Sequence, residues 1–243
     1  MHFIFSIEGN IGSGKSTLVK ALKEQTPALK LDYFKIVYLP EPVDEWAKIK
    51  NTNNIGILEE FYNNPKKWAF SFQMMAYISR IAILKKTIKE NPRCIIISER
   101  SVYTDKNVFA KMLYDEKNIS EIDYQIYNKW FEEFVKDLQI SGLIYVKTSP
   151  DKCFERVGKR NRQGESIPLE YLQKCSQYHD NWIDTYKNVL TLNGDIDFKE
   201  KENNHILHQW MKNIILFINN TEQVKEESSH FALNEMQMTN VLY

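Results

Sequence analysis

The chain has no excess of charge of either sign. Lys+Arg and Asp+Glu both total 32 over 243 residues, so the formal net charge is zero. A strongly basic surface for nucleic acid is not indicated, and no nucleic-acid partner is expected. Cysteine is nearly missing: Cys94, Cys153 and Cys175 stand far apart and form no C-x-x-C. That spacing suggests neither a zinc site nor a disulfide framework, and points to a reducing compartment. No apolar run approaches the ~20 residues of a membrane helix, so no membrane partner is expected. The first apolar strand is expected almost at Met1, which leaves no room for a signal or transit peptide. The cytoplasm is therefore the expected location. Arginine is scarce too: Arg80, Arg93, Arg100, Arg156, Arg160 and Arg162 are all there is, and Lys supplies the other basic residues. A chain that relies on Lys for solubility keeps Arg where a planar fork must grip phosphate, carboxylate or a base. At this length a single α/β domain is the default.

What is present begins with Gly9-Asn10-Ile11-Gly12-Ser13-Gly14-Lys15-Ser16. It fits the phosphate-loop pattern G-x-x-x-x-G-K-[ST] at every fixed position. Phe3 to Ile7 before it is a short β-prone run, and Leu18, Val19, Ala21 and Leu22 after it recur at helical spacing. Strand, glycine-rich loop and helix thus follow in the right order. The loop would turn its N–H groups inward and add the positive end of the new helix. Gly9 to Thr17 would contact a nucleoside triphosphate, with Lys15 between its β- and γ-phosphates and Ser16 holding Mg²⁺.

Four further strands are expected, at residues 35–40, 93–98, 142–147 and 188–192, alternating with helices. The pattern implies an α/β fold with a five-stranded parallel sheet flanked by helices. Glu41 follows the second strand directly, where open α/β sheets bind ligands, although a solvated turn residue would look the same. Glu99 and Arg100 close the third strand, so both strand ends and the loop could meet at one metal–phosphate site. A helix is expected over 66–90. Gln73 and Arg80 share one of its faces, suiting either a base pocket or a solvated polar stripe. Another helix is expected over 120–138, with Ile122, Ile126, Trp130, Phe134 and Leu138 at i+4 spacing forming core or a subunit interface. Arg156, Arg160 and Arg162 follow the fourth strand at spacing R-x₃-R-x-R. Such a trio can close over a transferring phosphoryl group, whose charge spreads over three oxygens. Residues 219–243 read as a polar tail outside a main domain of residues 1–218.

Taken together, these blocks resemble the deoxyribonucleoside kinases of the deoxycytidine, deoxyguanosine and deoxyadenosine kinase type. The matching blocks are Glu8 to Ser16, Glu41-Pro42-Val43 with Trp46, Trp68 to Gln73, Glu99 to Tyr103 with Asp105, the arginine trio, and Ile167 to Tyr171. The resemblance implies a P-loop kinase fold with an arginine-rich lid at about 153–168. It implies transfer of the γ-phosphate of ATP to the 5′-hydroxyl of a deoxynucleoside, with Mg²⁺ held by Ser16 and Glu99. Glu41 would be the general base, with Arg100 orienting it. Gln73 would read the base edge while Trp46, Phe72 and Phe109 sandwich the base. Tyr62 and Glu165 would grip the sugar 3′-hydroxyl. Asp197 and Phe198 would hold the donor's base. Arg80 and Asp105 match a charged pair near the base, which favours deoxycytidine or purine deoxynucleosides over thymidine. The family also implies a homodimer. The lid departs from the family in being one residue shorter before Ile167.

Three other readings compete. A thymidylate-type monophosphate kinase would need cationic contacts for its acceptor's phosphate, whereas Glu41 suits a neutral hydroxyl. A catalytically silent subunit would not need Lys15, Ser16, Glu41 and Glu99, all of which are intact. A GTPase would need Asn-Lys-x-Asp, and the chain offers only Asn128-Lys129-Trp130-Phe131.

Overall fold

Along the first strand Phe3, Phe5 and Ile7 alternate with Ile4, Ser6 and Glu8, and both sets are buried. A strand covered on both faces belongs at the centre of a sheet clad by helices. The computed structural model bears this out. It describes residues 2–25, 34–162, 165–198, 203–221 and 224. The strands are β1 (His2–Glu8), β2 (Lys35–Leu39), β3 (Cys94–Glu99), β4 (Gly142–Lys147) and β5 (Val189–Asn193). They form one five-stranded sheet in the order β2-β3-β1-β4-β5, and every pairing is parallel. The expected α/β fold is therefore found.

The helices are α1 (Lys15–Gln25), α2 (Val43–Trp46), α3 (Ile57–Asn63), α4 (Pro65–Glu90), α5 (Val102–Thr104), α6 (Lys111–Asp115), α7 (Glu121–Val135), α8 (Pro150–Arg160), α9 (Leu169–Ile183) and α10 (Asn204–Asn220). A π-helical turn, Asp105–Ala110, joins α5 to α6. Local chemistry sets the ends. Asn64 accepts from the Lys67 N–H and Pro65 occupies the first turn of α4. Asn161 ends α8 in the left-handed conformation, at φ 43°.

One face of the sheet, through Phe5, Ile7, Ile95, Ile97, Ile144 and Val146, packs on α1 and α10. The other, through Ile4 and Ile96, packs on α4 and α7. Truncating one of these isoleucines to Ala would cost about 2–5 kcal/mol. From β1 the chain runs out to β2, returns to β3, then crosses to β4 and β5. The direction of winding thus changes beside the carboxyl end of β1, where such sheets bind ligands.

Two expectations are sharpened. On α7, Ile122 (71% exposed), Ile126, Trp130 (46%) and Phe134 face outward, and Tyr127, Phe131 and Val135 face the core. Of the stripe expected as core or interface, only Leu138 is core; the other four form a second, outward apolar face on this helix, which leaves the interface alternative for them. Beyond the expected boundary at 219, two described residues still touch the sheet domain. Thr221 accepts from the Asn188 side chain at 3.2 Å, and Val224 packs in the cluster with Phe3 and Trp210. The rest of the expected tail, like Gln163 and Gly164 of the lid, lies outside the described residues.

Candidate active site

The loop after β1 curls because glycine permits it. Gly9, Gly12 and Gly14 all take positive φ. Space is equally restrictive. A Cβ at Gly9 would lie 2.6 Å from the Val146 carbonyl, and one at Gly12 2.5 Å from that of Cys153. The Asn10 amide donates to the Leu172 carbonyl at 2.8 Å, and Thr148 donates to the Ser13 carbonyl at 3.2 Å. β4 and α9 therefore brace the loop from outside. Ile11 to Thr17 line a cleft of about 450 Å³. Gly9 and Asn10, expected among the triphosphate contacts, sit beneath that lining and shape it.

Lys15 is buried, and its ammonium donates to the Asn10 carbonyl at 2.6 Å. Burial, with repulsion from Arg100, holds it well below a normal lysine, at about 7, against the pull of Glu99 and Glu41. Ser16 donates to Glu99 at 2.5 Å. Two oxygens this close at the loop's helix end suit Mg²⁺, which takes a few protein oxygens together with phosphate oxygens and water.

Glu41, just past β2, is no solvated turn residue. One of its oxygens accepts from Arg100 at 2.7 Å and from Arg80 at 3.2 Å. Burial alone would raise this carboxyl, but Arg100 and Arg80 outweigh it and hold it at about 2. Arg80 also pairs with Asp105 at 3.0 Å and donates to the Glu99 carbonyl at 2.8 Å. It stands behind the cleft wall and not in it, so the expected substrate contact of Arg80 is corrected. Its reach is through Glu41 and Asp105, both of which line the cleft. Arg100 itself sits at φ 60°, an uncommon conformation for a side chain of this size.

On one side of Glu41 the cleft is apolar. Trp46, Tyr62, Phe72, Gln73, Asp105 and Phe109 all line it. Gln73 and Arg80 are buried, which removes the solvated-stripe alternative. The Gln73 carbonyl oxygen has no hydrogen-bond partner among the described residues. An unpaired buried amide oxygen is costly unless a ligand satisfies it. Phe72 stacks on Phe61 at 4.8 Å and meets Trp46 edge-on, while the Arg100 guanidinium lies 5.1 Å above Phe109.

On the other side lie α8 and the loop after β5. Arg156 donates to the Gly194 carbonyl at 2.7 Å. Arg160 pairs with Glu165 at 2.5 Å and Arg162 lies 3.9 Å from it. All three arginines, Glu165, Asp197 and Phe198 line the cleft. So do Phe61, Lys159, Tyr171 and Trp210, which sequence reasoning gave no role. Lys159 could have been noticed between Arg156 and Arg160. Trp210 sits on α10 and gave no local signal; its ring meets Phe198 edge-on at 5.5 Å.

Comparison with known proteins agrees with this architecture. A deoxynucleoside kinase family model matches residues 5–216. Deoxycytidine kinase of Rattus norvegicus is 34% identical over 229 residues, covering 81% of this chain and 85% of that protein. A probable deoxycytidine kinase of fowlpox virus is 36% identical over 212 residues, 83% of each chain. The mitochondrial deoxyguanosine kinase of Xenopus laevis is 31% identical over 224 residues, 80% of this chain and 82% of that one.

Proposed function

The chain belongs to the deoxynucleoside kinase family, and on that premise we propose that it transfers the γ-phosphate of ATP to the 5′-hydroxyl of a deoxynucleoside. The observation that carries this reading is a single cleft. It joins the phosphate loop to a carboxylate gripped by two arginines, with an unsatisfied amide beyond.

Loop amides and Lys15 draw in the β- and γ-phosphates. Lys15 gains the charge partner that burial denies it in the free protein. Arg156, Arg160 and Arg162 close over the phosphates, and Asp197 with Phe198 holds the donor's base. Mg²⁺ on Ser16 and Glu99 would neutralise charge on the triphosphate. Arg100 and Arg80 keep Glu41 ionised and aimed at the 5′-oxygen. A carboxylate held near pKa 2 is a weak base, so it takes the proton late, as the phosphoryl group arrives. Tyr62 and Glu165 hold the 3′-hydroxyl, and Tyr62 crowds a 2′-hydroxyl. Trp46, Phe72 and Phe109 flank the base while the Gln73 amide reads its edge.

Deoxycytidine or a purine deoxynucleoside is preferred to thymidine. The support is the Arg80–Asp105 pair, whose carboxylate meets the base end of the cleft. Disturbing a buried polar pair costs far more than excluding one methyl group. The protein acts as a homodimer, supported by the outward stripe of α7 beside Ile78 of α4, which is also exposed. Its compartment is the cytoplasm, a reading supported by three buried, unpaired thiols. No described helix is long and apolar enough to cross a membrane.

The test offers the four natural deoxynucleosides at equal concentration with ATP, and each monophosphate in parallel. Deoxycytidine or a purine deoxynucleoside should turn over best. Thymidine as the best substrate would overturn the base preference. Faster turnover of a monophosphate would replace the reading with a thymidylate-type kinase, and no turnover at all would leave a silent subunit.

A further inference from the structure

Glu8 is an acid at the end of the central strand of an otherwise largely apolar sheet. It ends β1, is fully buried, and shares its face of the strand with Ile4 and Ser6. It is absent from the cleft lining, and nothing in the reaction above uses it. A buried carboxylate with no task would be costly.

Both of its oxygens are occupied. Oε1 accepts from the Ser6 hydroxyl and Oε2 from the Thr104 hydroxyl. The second contact spans 96 residues and reaches a turn that is itself specific. Thr104 and Ser101 form a reciprocal capping box: the Thr104 N–H donates to the Ser101 hydroxyl, and the Ser101 N–H donates to the Thr104 hydroxyl. A hydroxyl has one proton to give. Because the Thr104 oxygen accepts from Ser101, its own proton is free for Glu8. The carboxylate therefore fixes the rotation of the very hydroxyl that caps the helix start. That start follows Arg100 directly. Asp105 comes one residue later and Phe109 opens from the same π-helical turn, a feature that recurs at functional sites.

We propose that Glu8 is a positioning residue of the acceptor pocket, pinning Thr104 and through it the turn that presents Arg100, Asp105 and Phe109. The assignment rests on the acceptor role given to that pocket. It concerns the acceptor and not the donor because the phosphate loop has its own anchors, at Leu172, Thr148 and the Lys15–Asn10 contact. Burial raises the Glu8 carboxyl against the pull of Ser6, Thr104, Ser101 and the Arg100 charge, and what ties it to the turn is the hydrogen bond from Thr104. Glutamine keeps an acceptor oxygen for Thr104, and its amide N–H can donate to the Ser6 oxygen in place of the bond that Ser6 gave.

The experiment compares Glu8→Ala, Glu8→Gln, Thr104→Val and Thr104→Ser in the full chain, by steady-state kinetics and by amide hydrogen exchange. In Glu8→Ala and Thr104→Val, the KM for the acceptor nucleoside should rise about tenfold while that for ATP stays within about twofold. Exchange should quicken across residues 101–110 and stay unchanged across 9–17. Glu8→Gln and Thr104→Ser should behave as the parent does. Unchanged exchange over 101–110, equal rises in both KM values, or Glu8→Gln as impaired as Glu8→Ala would each overturn the proposal. Should Glu8→Ala fail to fold, Thr104→Val carries the same comparison. If the parent phosphorylates no nucleoside, the functional reading fails, and the exchange pattern still decides the role of Glu8.

Discussion

Replacing Lys15 by methionine should abolish catalysis and make the free protein more stable. Lys15 holds its ammonium inside the loop, where burial and Arg100 lower its pKa from 10.5 to about 7. A tenfold loss of proton affinity is worth about 1.4 kcal/mol, so carrying the charge in the folded chain at neutral pH costs on the order of 4 kcal/mol. Methionine keeps an unbranched apolar stem of similar length and has no charge to desolvate. It forfeits the hydrogen bonds to the Asn10 carbonyl and the Ser13 hydroxyl, worth about 1 kcal/mol each. The net expectation is a gain of about 1–3 kcal/mol at pH 7, seen as a higher urea midpoint at unchanged slope.

The pH dependence separates this account from ordinary repacking. The folded pKa of Lys15 lies below its unfolded value. Below about pH 7 both states carry the charge, and the full cost is present. Between about 7 and 10.5 the unfolded chain keeps a proton that the folded chain has released, so parent stability rises with pH relative to the variant. The gap between Lys15→Met and parent should shrink steadily over that window. A gap that is constant with pH, or a variant less stable than the parent at pH 7, would refute the reasoning. Adding ATP should stabilise the parent and not the variant, because the anion supplies the partner that Lys15 lacks.

Glu41→Gln should lower kcat by about 10²–10⁴. Because the parent carboxyl sits at about 2, kcat/KM should show no acid limb between pH 7 and 5, its one limb in this range being the fall above about 7 as Lys15 loses its proton; an acid limb near pH 6 would contradict the arginine grip on Glu41. Gly194→Ala should raise the KM for ATP and lower Tm, because an added Cβ would overlap the Thr148 hydroxyl and crowd Val146 beside the loop; unchanged donor affinity would refute the packing argument. Trp130→Glu on the outward face of α7 should convert a dimer into a monomer in sedimentation without unfolding it, since this ring is 46% exposed in the single chain. A dimer that survives the charge would move the interface elsewhere.

The parallel sheet was legible because its central strands are covered on both faces and so read as unbroken apolar runs. β4 spans the expected residues, and α4 begins one residue before its expected start, at Pro65. The phosphate loop was legible for a different reason: its function needs eight consecutive residues, so sequence neighbours are spatial neighbours. Periodicity failed at α7, where Ile122, Ile126, Trp130 and Phe134 compete with Tyr127, Phe131 and Val135. Two apolar faces on one helix give a spacing argument nothing to choose between. Only packing against Ile96 and Ile81 decides which set turns inward.

Side chains that act through one another were the least legible. Arg80 could be placed on a helix face with Gln73, and its pairing with Asp105 was expected only through the family resemblance; its grip on Glu41, which joins a third segment of the chain, was not foreseen. Such a pairing has no signature at any single position. Its consequence is nonetheless large. Glu41 and Asp105 lie buried among Lys15, Arg80 and Arg100, where burial and the neighbouring charges together set each group's protonation. Removing any one member should therefore shift the protonation of the partners it leaves. Arg80→Ala tests this directly, since Arg80 does not line the cleft. It should release Glu41 from one of its two arginines, raise its pKa, and bring an acid limb into the kcat/KM profile that the parent lacks. An acid side as flat as the parent's would mean that Arg100 alone holds Glu41 ionised, and that Arg80 serves only Asp105.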